Sequence, residues 1–153
     1  MKIAVLGIGN ILCKDDGLGV AAANILAEQS WPGNVTVYDA GTAVMKLWDV
    51  FMNHEMIIVI DALKGDGAPG TIYRLTPGDL AEGEGAILSL HDLGIVDVLR
   101  LARVLNRRPR VIIFGMEPAD LSWEIGLSEP VRENLAALVA CIRRELSPHL
   151  GNM

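Results

Sequence analysis

Cysteine is scarce in this chain of 153 residues. There are two, Cys13 and Cys141, far apart in the sequence. That count excludes a disulfide framework, and neither residue belongs to a C-x-x-C zinc or redox motif. The sequence therefore reads as that of a cytoplasmic protein with reduced thiols. Positive charge is also short: thirteen Lys and Arg stand against nineteen Asp and Glu, for a net charge of −6. A nucleic-acid binder needs a basic face for the phosphate backbone, so no nucleic-acid partner is expected. No apolar run reaches the ~18 residues of a membrane span. Several nucleotide and hydrolase motifs are missing too. Gly7-x-Gly9 opens like a dinucleotide fingerprint, but Leu12 stands where the third glycine belongs, and the acidic pair Asp15-Asp16 would repel a pyrophosphate. There is no P-loop and no G-x-S-x-G elbow. His54-Glu55 begins like H-E-x-x-H, but Ile58 replaces the second histidine.

What the chain has in quantity is aliphatic residues: 51% of it is hydrophobic, which excludes disorder. The length suits one domain, 1–153, with one substantial core. The N-terminal run MKIAVLGIGNILC is apolar behind Lys2, like a short signal peptide. Glycines and Asn10 interrupt it and an acidic CKDD follows, so a first strand and loop is the better reading. Apolar runs at 2–7, 34–39, 56–60 and 110–115 predict strands. Helical spacing predicts helices over 17–29, 42–52, 92–105 and 128–146, with Thr42 and Ser128 as N-caps and Pro130 in the first turn of the last. Strands alternating with helices give an α/β domain with a mostly parallel sheet. The segment 71–75 is the exception. Only a turn-rich stretch, 64–70, separates it from the strand before, too short for a crossover helix. It is expected to run antiparallel at the edge, followed by a loop over 76–88.

Open α/β sheets bind ligands beyond the carboxyl ends of their strands, where strand order reverses. The first strand delivers residues 7–17 to that rim and the second delivers Asp39 to Thr42. The third delivers Asp61, and the last core strand Met116, Glu117 and Pro118. If the first and third strands are neighbours, Asp16 and Asp61 converge, and His91 approaches the same rim at the start of a helix. Two carboxylates and an imidazole suit zinc, nickel, manganese or iron. The alternative is that Asp15 and Asp16 serve the N-terminus of the next helix and Asp61 caps a loop. Cys13 offers a third reading, a thiol nucleophile beside His91. Carboxylates stand next to it, a poor setting for an anionic nucleophile, and an inert half-buried thiol fits better.

At GIGNILCKDDGLGV the chain resembles the hydrogenase maturation endopeptidases, which process the large subunit of nickel–iron hydrogenases. The resemblance continues in order through DAGTAVMKL at 39–47, IIVIDA at 57–62, GAPGT at 67–71, LHDLGIVDVL at 90–99 and FGMEP…GLSEPV at 114–131. By motif, the metal-liganding acids and histidine of the family fall on Asp16, Asp61 and His91. Ala40 stands where glycine is frequent, and Cys13 is not required by the family pattern. The resemblance implies a three-layer α/β/α sandwich around a mixed five-stranded sheet, order 2-1-3-5-4 with strand 4 antiparallel. It implies an endopeptidase that removes the C-terminal extension of the large-subunit precursor after nickel insertion. It further implies nickel supplied by that precursor, at a site other divalent ions can occupy; no membrane partner is expected, since the chain lacks a long apolar run. Two rival functions remain. A phospho-receiver domain also carries an acidic pair and a third Asp, but it needs a lysine where this chain reads Gly115-Met116-Glu117-Pro118. A thiol peptidase would use Cys13 and His91.

Overall fold

The computed structural model describes residues 1–43, 48–79, 88–89 and 95–151. The chain runs β1 (Ile3–Ile8), α1 (Leu18–Ala27), β2 (Val35–Gly41), α2 (Trp48–Asn53), β3 (Met56–Lys64) and β4 (Ile72–Leu75). It continues with β5 (Leu88–Ser89), α3 (Ile95–Val104), β6 (Arg110–Met116) and α4 (Glu129–Leu146). The sheet has the order β2-β1-β3-β6-β4, and β5 pairs with the end of β3. All pairings among β2, β1, β3 and β6 are parallel, whereas β4 lies antiparallel on β6 at the edge. With β6 counted as the fifth main strand, this is the expected order 2-1-3-5-4. The two-residue β5 falls at the end of a stretch expected to be loop; its pairing comes from β3, which extends far enough to offer it an edge. Residues 44–47 of the helix expected over 42–52, and 92–94 of that expected over 92–105, lie outside the described residues.

Each buried strand is apolar on both faces, because helices cover both. Ile3, Val5, Ile58, Ile60, Ile112 and Phe114 pack against α1 and α4 through Leu18, Leu26, Leu138 and Ile142. Ala4, Leu6, Ile57, Val59, Val111 and Ile113 pack with Phe51 of α2 and Val98 of α3. Among the described residues no helix is long and apolar enough to cross a membrane.

Strand order reverses between β1 and β3. There α1 lies unusually close to the sheet. A Cβ on Gly19 would collide with the carbonyl oxygens of Ile60 and Ile8, and one on Gly7 with the carbonyl oxygen of Gly19. The sheet's other rim gathers the chain ends: Asn34 donates from Nδ2 to the carbonyls of Met1 and His149, 3.0 Å each, and accepts the Gly151 N–H at 3.0 Å.

Gly19→Ala should lower stability by about 2–3 kcal/mol, since its new methyl meets backbone that cannot yield. Gly33→Ala, with nothing within 4 Å of the added Cβ, should stay within about 0.5 kcal/mol of wild type. Urea midpoints of the two variants measure the contrast.

Candidate active site at the carboxyl rim of the sheet

The parallel pairing of β1 with β3 stops at Gly7–Ile60. The pairing of β3 with β6 runs on through Asp61–Gly115 and Ala62–Met116. Asp61 was expected to follow its strand directly; it lies inside β3. The strand continues because β6 and β5 go on supplying backbone partners after β1 has turned away. Asp61 thus sits at a fork, fully buried, on the sheet face that α2 and α3 cover by strand alternation with Val59 and Leu63. Its Oδ1 accepts the Ala62 N–H at 2.8 Å.

From the end of β1 the chain makes a tight return. Gly9 has φ +144°, and a Cβ there would strike the carbonyl oxygen of Asp16. The partial glycine fingerprint therefore serves close backbone approach: Gly7 lets α1 close on the sheet, and Gly9 lets the 9–13 loop fold back over the short 3-10 turn Lys14–Gly17. In that turn Asp16 is buried, and its Oδ2 accepts the Asn10 N–H at 3.1 Å. The turn packs against β3, the strand of Asp61. The third expected member, His91, lies outside the described residues.

Asp15 does different work from its neighbour. Fully buried, it accepts the N–H groups of Ala119 (2.8 Å), Asp120 (3.0 Å) and Ser128 (2.7 Å), and the Ser128 hydroxyl at 2.7 Å. The serine expected to cap α4 stands at the cap position but turns its hydroxyl to Asp15 instead. Asp15 serves the 119–128 segment and the start of α4, not the N-terminus of α1. Just outside, Lys14 reaches Asp120 at 3.5 Å and Glu124 at 3.3 Å. The Glu124 hydrogen bond holds the Lys14 ammonium above its ordinary range. The Ser122 N–H, first among several donors, holds the Asp120 carboxyl below its own.

A second acidic group went unremarked as a network in the sequence. Glu117, at the end of β6, is buried. Its Oε1 accepts the Gly65 N–H at 2.8 Å and the Tyr73 hydroxyl at 2.9 Å, and its Oε2 lies 3.4 Å from the Lys64 ammonium. Burial, and then this bond to Glu117, push the Tyr73 hydroxyl pKa up. The antiparallel register of Tyr73 with Gly115 is what brings the two together. One other candidate falls away as expected. His54 precedes β3 at the opposite rim, with Nδ1 on the Val50 carbonyl at 2.8 Å. Both cysteines are free thiols, and Cys13 is partly exposed.

Residues 20–145 match the family model of the hydrogenase maturation proteases, HycI. The chain belongs to the hydrogenase maturation proteases. The protease is 36% identical over 135 residues to the hydrogenase 2 maturation protease of Escherichia coli, covering 86% of this chain and 82% of that one. It is 35% identical over 139 residues to the hydrogenase expression/formation protein HupD of Bradyrhizobium diazoefficiens, covering 88% and 72%. Its fold is similar to that of the hydrogenase maturating endopeptidase HybD from E. coli, with a TM-score of 0.87, 31% identity, and 97% and 94% of the two chains covered. It is therefore an endopeptidase of hydrogenase maturation on an α/β fold of the HybD type, and the receiver and thiol-peptidase alternatives find no support among its relatives.

Asp15→Ala would strand three N–H groups and a hydroxyl at a buried position. It should cost the protease about 3–5 kcal/mol, measured by urea unfolding.

Proposed function

We propose that this protease removes the C-terminal extension from the precursor of a nickel–iron hydrogenase large subunit, in the cytoplasm, after nickel has been inserted. Asp16, Asp61 and His91 recognise the nickel that the precursor carries. The observation that carries this reading is the fork at Asp61. There, β3 outlasts β1, the Asp16 turn packs on the same strand, and β5 pairs Ser89 with Leu63. Ser89 precedes His91 by two residues, and Leu63 follows Asp61 by two.

The donor chemistry fits. Two carboxylate oxygens and an imidazole nitrogen suit nickel and other borderline divalent ions, and three protein ligands leave positions for the substrate. When bound, such an ion supplies Lewis acidity toward a peptide carbonyl or a water. The chain itself contributes placement. The Asn10 N–H orients Asp16, and the Ala62 N–H orients Asp61. Asp15 fixes the turn that carries Asp16, and Glu117 fixes the 65–70 turn beyond the end of β3. The rims around Gly41-Thr42 and Glu117-Pro118 frame the approach for an extended chain. Cys13 has no part in the cut.

Asp16→Asn, Asp61→Asn and His91→Ala should each abolish processing of nickel-loaded precursor while the far-UV spectrum and thermal midpoint show a folded chain. Cys13→Ser should process at close to the wild-type rate, and nickel-free precursor should stay uncut. The readout is the mobility shift of the large subunit on gels. Full processing by two of the three ligand variants would overturn the site, and equal cleavage of both precursors would overturn nickel recognition.

A further inference from the structure

Beside the Asp16 turn, two surface segments expose large apolar side chains together. Ile11 and Leu12 stand on the loop after β1. Leu121, Trp123 and Ile125 stand on the segment after β6, with Trp123 80% and Ile125 74% exposed. The two segments are joined side by side. Cys13 forms a parallel bridge with Glu124, and the Lys14 N–H donates to the Glu124 carbonyl at 2.8 Å. The Asp15 N–H donates to the Asp120 carbonyl at 3.0 Å. Asp15 ties the far segment from beneath, and Lys14 clasps it from above through Asp120 and Glu124. The backbone is therefore held in place while the side chains point into water. Single exposed apolar residues are ordinary, but a contiguous group marks an interaction surface. A tryptophan at its centre is the residue type that most often carries binding energy.

The charge around the patch selects the partner. Asp15 and Asp16 are buried, so the surface of residues 10–17 and 119–126 carries one cation, Lys14, and two anions, Asp120 and Glu124. Asp39, exposed, lines a cavity of about 430 Å³ on the other side of Ile11 and Leu12, with Gly41 and Thr42. A second copy of this chain would set acid against acid across a two-fold interface, which disfavours self-association. A partner with an apolar face and positive charge around it meets both features. The surface also continues directly from the turn that carries Asp16, so a body seated on it lies next to the site.

We infer that Ile11, Leu12, Leu121, Trp123 and Ile125 form a docking face for the folded body of the substrate protein, beside the cavity at Gly41 and Thr42 that the segment to be cut approaches. The matching face on that body is apolar with net positive charge. This rests on the reading that the substrate is a folded hydrogenase large-subunit precursor.

The test is the concentration dependence of processing of nickel-loaded precursor. The doubly substituted Trp123→Ala, Ile125→Ala chain should raise KM by about tenfold or more. Its kcat should stay within about twofold of wild type, because neither residue touches the scissile bond. Raising the ionic strength should raise the wild-type KM as charge attraction is screened. Val104→Ala with Leu105→Ala, exposed apolar residues on and just after α3, should leave KM unchanged. An unchanged KM in the Trp123/Ile125 variant overturns the docking face while leaving the precursor as substrate. So does sedimentation showing a wild-type dimer that this variant splits. A wild-type chain that leaves the precursor uncut overturns the substrate reading, and the docking face with it.

Discussion

The carboxylate of Asp15 is the contact on which the carboxyl rim of the sheet depends. A buried anion is costly unless its lone pairs are taken up, and here three N–H groups and a hydroxyl take them. The donors come from Ala119, Asp120 and Ser128, over a hundred residues further along the chain. One side chain therefore joins the loop after β1 to the loop after β6, and fixes the point where α4 begins. Neither loop has a sheet ladder of its own to hold it. Without Asp15, the Asp16 turn and the Trp123 segment would have only the Lys14 ion pairs and a few backbone bonds between them.

The same rim is stepped, not flat. β1 stops at Ile8, while β3 continues to Lys64 because β6 and β5 accompany it. The step leaves Asp61 inside a strand, where backbone pairing limits its movement, yet at the place where a neighbour has departed. A side chain on a strand is held more rigidly than one on a loop. Glu117 performs the corresponding task on the far side of the step. It receives Gly65 and Tyr73 on one oxygen and so keeps the turn after β3 folded against β4.

Most of the architecture was legible because apolar period and turn chemistry are local. Parallel strands buried on both faces read as unbroken runs such as MIIVI, and a short connection forced 71–75 to the antiparallel edge. The end of β3 was less so. DALK breaks the apolar run with an acid, and nothing local says that a neighbouring strand continues beyond it. β5 was illegible for the same reason: two residues carry no period. Of the candidate site, Asp16 and Asp61 could be gathered to one rim from the sheet's topology. The separate duty of Asp15 could not, since its four donors lie at the other end of the chain. The Tyr73–Glu117 bond required the β4–β6 register, which no spacing in the sequence gives away.

Asn34 binds the carbonyls of Met1 and His149 and the Gly151 N–H at the rim opposite the strands' carboxyl ends. The described start and end of the chain are thereby side by side, a sheet's length from Asp61. For protein engineering this separates two kinds of access. A peptide joined to either end departs from the rear of the molecule and leaves the front rim open to a large partner. A short linker could join residue 151 to residue 1 in a ring. New termini could then be opened elsewhere, with the fork at β1 and β3 still formed by the same three parallel strands.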